Sequence, residues 1–373
     1  MGIKIQADDT QIVDMIFEDG ADGPQTIVLP ATGGTLASQE YVEERTTSVS
    51  TRNTVISAAT AGVLALATTP TPSFATDIYT GNGTSQDIVT GLESRDANWI
   101  SGTSYALGDY SVEDYVIYEA NTATSGTTAP SASGDWDAIG EDVHVPFKNS
   151  KVLTKVRDAV NSNFVFDTLR GIDKWMATDL TNSEGVSNTG ILSSFNSDGF
   201  TVSEGNTNTN SATYVAWQTQ YDTMFYGTTN HGKKFLTAYN AQSGKFMSIY
   251  AGNATLGHEI PHGLGTAPNI IFTKSRGGVS SWEGYNHIVG ETATLRLDSN
   301  GTPITTSATW NDTKPSDSVF TLGAGSGVNG PTDMVAYGSS NRKNHTYTGQ
   351  YIGTGAAGNV VDFDLDMTQA GAK

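Results

Sequence analysis

Short alternating runs, rather than helical stripes, set the pattern along most of this chain. Ile270, Phe272 and Lys274 take every second position in one run, and Tyr214, Ala216 and Gln218 in another. A period of two is that of a strand with its faces in different surroundings. Gly-, Asn- and Asp-rich turns separate the runs. Asn-Gly at 82–83, 300–301 and 329–330 and Asp-Gly at 198–199 are hairpin signals. The pattern predicts a mainly-β fold of antiparallel, β-sandwich-like modules. Residues 152–176 fit either a helix or a long strand.

The first 75 residues read differently. Ile3 and Ile5, then Val13, Met15 and Phe17, then Ile27, Val28 and Leu29 suggest a hairpin around residues 19–23. Val42, Val49, Ile56 and Val63 fall seven apart, the spacing of one coiled-coil stripe, but their partner positions do not complete a seam. The readings are a short intertwined helix or an extended arm that orders against neighbours. Thr-Pro-Thr-Pro-Ser at 69–73 is a stiff linker closing this region.

A repeat organises the remainder. Ile78-Tyr79-Thr80-Gly81-Asn82-Gly83-Thr84 recurs as Ile249-Tyr250-Ala251-Gly252-Asn253-Ala254-Thr255, and a looser third time as Tyr351-Ile352-Gly353-Thr354-Gly355. Further matches follow in order. Residues 88–92 match 260–264, 154–157 match 273–276, and 195–202 match 314–322. The stretch Asn210 to Trp217 matches Asn329 to Tyr337. The expected layout is an arm at 1–75, a first β module with a bridge at 76–250 and a second β module at 251–373. A dense aromatic insert at 97–140 interrupts the first copy.

Composition narrows the function. Hydrophobic residues make up 37% and charged residues 16%, yet 6 Trp, 15 Tyr and 13 Phe can anchor several cores. The formal net charge of −19 argues against binding nucleic acid or an anionic membrane. The absence of cysteine excludes disulfides, thiolate metal sites and cysteine nucleophiles. The acidic start is unlike a secretory leader, and the apolar run from Val55 to Ala67 falls short of a membrane span.

Several strings look like chemistry. His258-Glu259-Ile260-Pro261-His262 spells the zinc-protease motif, which works on a helix. Pro261 breaks a helix, and the first copy has Gln86, Asp87 and Thr90 at these places. The expectation is a strand edge with two surface histidines. Leu29-Pro30-Ala31-Thr32-Gly33 reads as a strand end and turn rather than a sortase signal, and Asp298-Ser299-Asn300-Gly301 as a turn rather than a calcium loop. No catalytic residue, metal ligand or cofactor is assigned.

Tyr79 to Gly83, Lys155 to Arg157, Phe166-Asp167-Thr168-Leu169-Arg170-Gly171, Ser194 to Phe200 and Asn210 to Trp217 together resemble a repeated domain of tailed-phage structural proteins, cyanophages especially. The second copy keeps Lys274-Ser275-Arg276 but carries Tyr285-Asn286-His287-Ile288-Val289-Gly290 in place of the Phe-Asp-x-x-Arg-Gly segment. Leu29 to Ala37 resembles the start of phage fibres. In the insert, Trp99, Tyr105, Gly108, Asp109, Tyr118, Pro130 and Trp136 are ordered as in the small carbohydrate-binding module of chitinases. Trp99 and Trp136 suit its core. The sugar-stacking candidates are Tyr110, Tyr115, Tyr118 and Trp136. The resemblance implies a non-enzymatic virion protein made in the host cytoplasm, a tail fibre or appendage contributing to host attachment. Its arm would hold other virion proteins, its oligomer would be a homotrimer, and its insert would meet a host-surface glycan. A capsid decoration or head-fibre protein and a glycan depolymerase are the rival readings.

Overall fold

The computed structural model describes strands Ile3–Ala7, Val13–Phe17 and Gln25–Val28, and then residues 72–186, 191–203, 205–343 and 345–361. The chain divides into two compact units, Met1–Thr71 and Pro72–Lys373. In the first, β1 (Ile3–Ala7), β2 (Val13–Phe17) and β3 (Gln25–Val28) form an antiparallel sheet with Ile5 opposite Met15 and Phe17 opposite Gln25. The strands flanking residues 19–23 therefore pair as the alternation predicts. The stripe from Val42 to Val63 lies outside the described residues.

The second unit is built twice. The first module opens with β4 (Phe74–Thr80) and β5 (Gln86–Val89). The insert follows, with β6 (Tyr110–Glu113), β7 (Val116–Ala120) and β8 (Trp136–Ala138). The module resumes with β9 (Val145–Val156), β10 (Phe164–Asp167), β11 (Lys174–Ala177), β12 (Gly185–Val186), β13 (Leu192–Asn196), β14 (Gly199–Val202) and β15 (Thr213–Thr228). A bridging strand β16 (Lys234–Asn240) leads to the second module: β17 (Lys245–Ala251), β18 (His258–Pro261), β19 (Ile270–Ser275), β20 (Glu283–Asn286), β21 (Ala293–Arg296), β22 (Ile304–Thr305), β23 (Val319–Leu322) and β24 (Asp333–Ser339). Residues 152–176 are neither a helix nor one long strand but the end of β9, all of β10 and the start of β11, joined by turns, and the second module begins at Lys245 rather than at 251.

The pairings repeat as the sequence does. β4 pairs β15, which pairs β9, followed by β10, β11 and β12; β17 pairs β24, which pairs β19, followed by β20, β21 and β22. Above each sheet lies a smaller one, β13-β14-β5 in the first copy and β18-β23 in the second. Through β16 the two large sheets run into one, thirteen strands among the described residues.

That joint sheet folds over on itself. Its outer face lies under the small sheets: Phe246 and Tyr250 of β17 pack there with Ile260 and Phe320. Its inner face closes on a shared core in which Val145, Phe147, Val165 and Met176 meet Met247, Ile249, Trp282 and Tyr337. The Tyr337 hydroxyl on β24 donates to Asp167 Oδ2 on β10 at 2.5 Å, although β9, β15, β16 and β17 separate the two strands in the sheet. Strands inside this fold are covered on both faces, so Ile271, Thr273, Lys274 and Ser275 are all buried and β19 loses the clean alternation of its sequence.

A polar lock is repeated in both modules. Asn329 is fully buried; its amide nitrogen donates to Asn253 Oδ1 at 3.0 Å, Thr255 O at 2.8 Å and Gly323 O at 3.0 Å, while its Oδ1 accepts from Asn253 N at 2.9 Å. Asn208 does the same in the first copy, to Asn82 Oδ1 at 3.0 Å and to Thr84 O, and it accepts from Asn82 N at 2.9 Å. The partner of Asn329 is thus Asn208, not the Asn210 of the sequence match. Tyr79 and Tyr250 each donate to a carbonyl beside the lock, Thr207 O at 2.7 Å and Val328 O at 2.6 Å. The backbones approach so closely that a Cβ on Gly81 or Gly252 would strike the carbonyl of Thr209 or Gly330. The third copy at 351–355 forms no strand; Tyr351 and Ile352 are exposed.

Truncating a fully bonded buried amide leaves its partners unpaired, which costs about 2–4 kcal/mol. Asn208→Ala and Asn329→Ala are each expected to lower unfolding stability by about that amount in urea titrations. A loss under about 0.5 kcal/mol at either would mean that the lock is not holding its module.

Candidate functional site

The insert is rooted on the turn that follows β10. Asp96 accepts the Ile172 amide at 3.0 Å, and the Asn98 side chain donates to Thr168 O at 3.1 Å and Leu169 O at 3.2 Å. Gly171 (φ +94°) lets that turn pass; a Cβ there would meet Asn98 Nδ2 at 3.2 Å. From this root β6 and β7 reach over the opening of the folded sheet. Val112 and Ile117 enter the shared core, and Tyr226 donates its hydroxyl to Ile139 O. At the tip, Asp114 pairs with Lys234 at 2.5 Å, and Tyr115 donates to Asp333 at the start of β24 at 2.9 Å.

This docking redistributes the four sugar-stacking candidates. Tyr110 and Tyr115 pack against the shared core of the modules, half-buried. Trp136 is 5% exposed and meets Tyr105 edge-on at 4.9 Å between ring centres; Tyr118 and Trp99 pack against this small core. Trp136 is therefore a core residue and is withdrawn as a sugar platform, because a stacking ring must offer an open face. The four rings divide between two cores and do not make one exposed surface.

The two histidines are also placed differently from expectation. His258 opens β18 and His262 directly follows its last residue; both are fully buried. The small sheet packs their side chains onto the large one, where a surface edge was expected. Four residues along a strand separate them by roughly 13 Å, too far for one metal ion. Each is spent in hydrogen bonds. His258 Nδ1 lies 2.9 Å from Asn329 Oδ1 and its Nε2 2.9 Å from Thr229 Oγ1. The Leu264 amide donates to His262 Nδ1 at 3.2 Å, and His262 Nε2 lies 3.3 Å from Ser316 O, which sets a neutral ring protonated on Nε2. Burial pushes the His262 pKa down to about 4.

The third concentration of polar groups is the junction between modules. Arg170 Nε lies 2.5 Å from Asp167 Oδ2 in a fully enclosed pair, and Arg170 also donates to Val165 O at 3.0 Å. Glu184 accepts from Arg170 at 3.2 Å and from Arg276 of the second module at 3.0 Å. Burial works to raise the Asp167 pKa, but Arg170 and the Tyr337 hydroxyl overrule it and hold the carboxyl below the usual range. Lys151 sits over the Tyr337 ring at 5.0 Å, its pKa lowered by burial to about 8 against the pull of Asp167. The motif segments around Arg170 and Arg276 were visible in the sequence, whereas nothing there marked Glu184. Among the described residues no three His, Asp or Glu side chains gather as a metal site.

A family model of a domain of unknown function, DUF7483, matches residues 132–362, more than half of the chain. The chain belongs to the DUF7483 family. The DUF7483 match starts inside the insert, after Pro130, and takes in both copies from β9 onward. No curated protein matches the chain. No solved structure matches it.

His262 carries a pH signature. Its folded pKa of about 4 lies below the 6.5 of a free imidazole. Its contribution is therefore whole above about pH 6.5 and is lost as pH falls toward 4, where the unfolded chain binds the proton and the folded one does not. The full span corresponds to about 3 kcal/mol. His262→Thr, the residue at the same place in the first copy, is expected to flatten the wild-type fall in stability between pH 6.5 and 4, read from melting curves. Parallel wild-type and variant profiles would remove His262 as the source.

Proposed function

We propose that this chain is a non-enzymatic structural component of a tailed-phage particle, an appendage or tail-fibre protein that contributes to host-surface attachment. The observation that carries the reading is what the two modules have in common. The paired residues Tyr79 and Tyr250, Asn208 and Asn329, and Lys155 and Lys274 all bind main-chain carbonyls. They hold backbone to backbone. The two histidines and the enclosed Asp167–Arg170 pair occur in one copy only, and they are already engaged: His258, His262, Asp167 and Arg170 each have their partners inside the fold. Duplication has preserved scaffold, as a building element requires. The phage resemblance of both copies and of the segment Leu29 to Ala37 supplies the setting.

In this reading residues 1–75 dock onto other virion proteins, the chain acts as an oligomer, and the exposed faces of the modules meet the host. The insert serves as a wedge tying the modules together, so any glycan contact uses surfaces other than Tyr110, Tyr115 and Trp136. Antibody raised against the chain is expected to label the tail appendages of purified particles in electron micrographs. Label confined to capsid faces or vertices would transfer the chain to a decoration or head-fibre role. Release of reducing ends from host polysaccharide by the pure protein would overturn the non-enzymatic reading.

A further inference from the structure

The two modules differ at one edge. In the second copy β17 is enclosed, with β16 on one side and β24 on the other. Its counterpart β4 pairs, among the described residues, with β15 alone. Among the described residues, no strand takes the flank beside β4 that β16 fills beside β17.

The direction of the free backbone groups follows from the existing ladder. Gln220 N donates to Ser73 O at 2.8 Å, and Gly81 exchanges bonds with Ala212 and Ser211 at 2.8 Å. In an antiparallel pair, residues turned toward the partner alternate with residues turned away. Positions 73, 75, 77, 79 and 81 therefore face β15. Phe74, Thr76, Ile78 and Thr80 direct both N–H and C=O outward. Their side chains are exposed too, Phe74 at 48% and Ile78 at 58%. An exposed strand edge carrying apolar side chains is a template for another strand; Phe-Ala-Thr-Asp-Ile-Tyr-Thr has no proline and no lysine of its own, and the charges at this edge are Asp77 and the Lys245 ammonium, 4.5 Å over the Phe74 ring.

We propose that the outer edge of β4 is a two-fold pairing site for a second copy of this chain. Outward-facing residues must oppose one another, which antiparallel registers centred on Thr76, on Asp77 or on Ile78 all satisfy. The second sets Asp77 against its own copy, a like-charge contact that destabilises a sheet. The first sets Asp77 against Ala75, Thr76 against Thr76, and Phe74 against Ile78 twice. Each outward pair then exchanges both main-chain bonds, and the aromatic–β-branched pairs cover the exposed apolar side chains. The edge is thus complementary to itself: Asp77 disfavours the register centred on it, and of the other two only the register centred on Thr76 gives Phe74 a partner within β4. The second module supplies the internal precedent: the same strand, with a neighbour on this flank. The inference stands apart from the virion reading and from the three-fold oligomer that fibre resemblance implies, since it concerns a two-fold contact.

An interface of one strand pair is small, so association is expected to be weak, with a dissociation constant on the order of 10–100 μM. Sedimentation equilibrium of the full chain between about 1 and 200 μM should show a mass that rises twofold with concentration. Thr76→Pro removes an outward N–H while leaving the bonds to β15 in place. Ile78→Lys adds a charge to the edge without touching the backbone. Both variants are expected to abolish the concentration-dependent step with unchanged melting. If the proline variant misfolds, the lysine variant decides. The proposal is overturned if the wild type shows no such step, if the variants associate as it does, or if the Thr76 and Ile78 amides resist hydrogen exchange at the lowest concentration, where only a segment of the same chain could hold the edge.

Discussion

The enclosed contact between Asp167, Arg170 and Tyr337 is the constraint on which the arrangement of the modules depends. Sheets twist, and a sheet of thirteen strands cannot stay open and flat without exposing a large apolar face. Folding over hides that face, but hydrophobic burial has no direction and would accept many relative positions. The ion pair accepts few. Arg170 is held at once by Asp167, Glu184 and Val165 O, and Asp167 takes the hydroxyl of Tyr337 from the opposite half. Enclosing charges costs solvation, so such a pair adds little net stability; separating it, however, strands a charge in the core. Its effect is to fix register. Glu184 extends the same fastening to Arg276, and Trp282 Nε1 adds a bond to Ala177 O at 2.8 Å.

The second copy retains the turn without the charges. Gly171 and Gly290 have φ of +94° and +89°, and their amides donate to Asp167 O at 3.1 Å and Asn286 O at 2.9 Å. The backbone device is therefore common to both. In the first copy the turn faces another module; in the second, His287 and Ile288 are exposed. Asn286, His287 and Val289 replace the charged segment where there is no opposing half to align. The sequence difference between the copies thus maps onto the presence or absence of a neighbour. The asparagine lock, which is internal to each module, does not vary with neighbours and is kept in both.

Much of this was legible from residues alone. The period-two runs and Asn-Gly turns marked a mainly-β chain, and the repeated Tyr-x-Gly-Asn opening marked two modules, because both signals are local. The third copy at 351–355 misled because the opening strand needs a closing strand and a buried asparagine downstream. Tyr79 has Tyr214 and Asn208, and Tyr250 has Met334 and Asn329. The histidines were assigned to the surface because polar side chains in a strand usually point to water. Here Thr229, Asn329 and Ser316, in the connections between strands, serve as partners, and those come from distant parts of the chain. The aromatic insert was read as a small binding module because density of rings does not tell an inward ring from an outward one.

The position of the insert follows from the same geometry. It occupies the connection between β5 and β9, whose counterpart between β18 and β19 runs only over residues 262–269. In the first copy, that connection passes the Asp167–Arg170 turn, and Asp96 and Asn98 bind the turn's backbone. Extra chain emerging there stands over the opening of the folded sheet, where Ile117 and Val112 find apolar partners and Tyr115 reaches Asp333. A small domain of this size has too little core to stand alone. It holds its shape by giving one face to the shared core and closing the other on Tyr105 and Trp136. Its aromatics are consumed in both tasks, and the continuous chain of bonds from Asn98 through the turn to Arg170, Glu184 and Arg276 makes the insert part of the junction it covers.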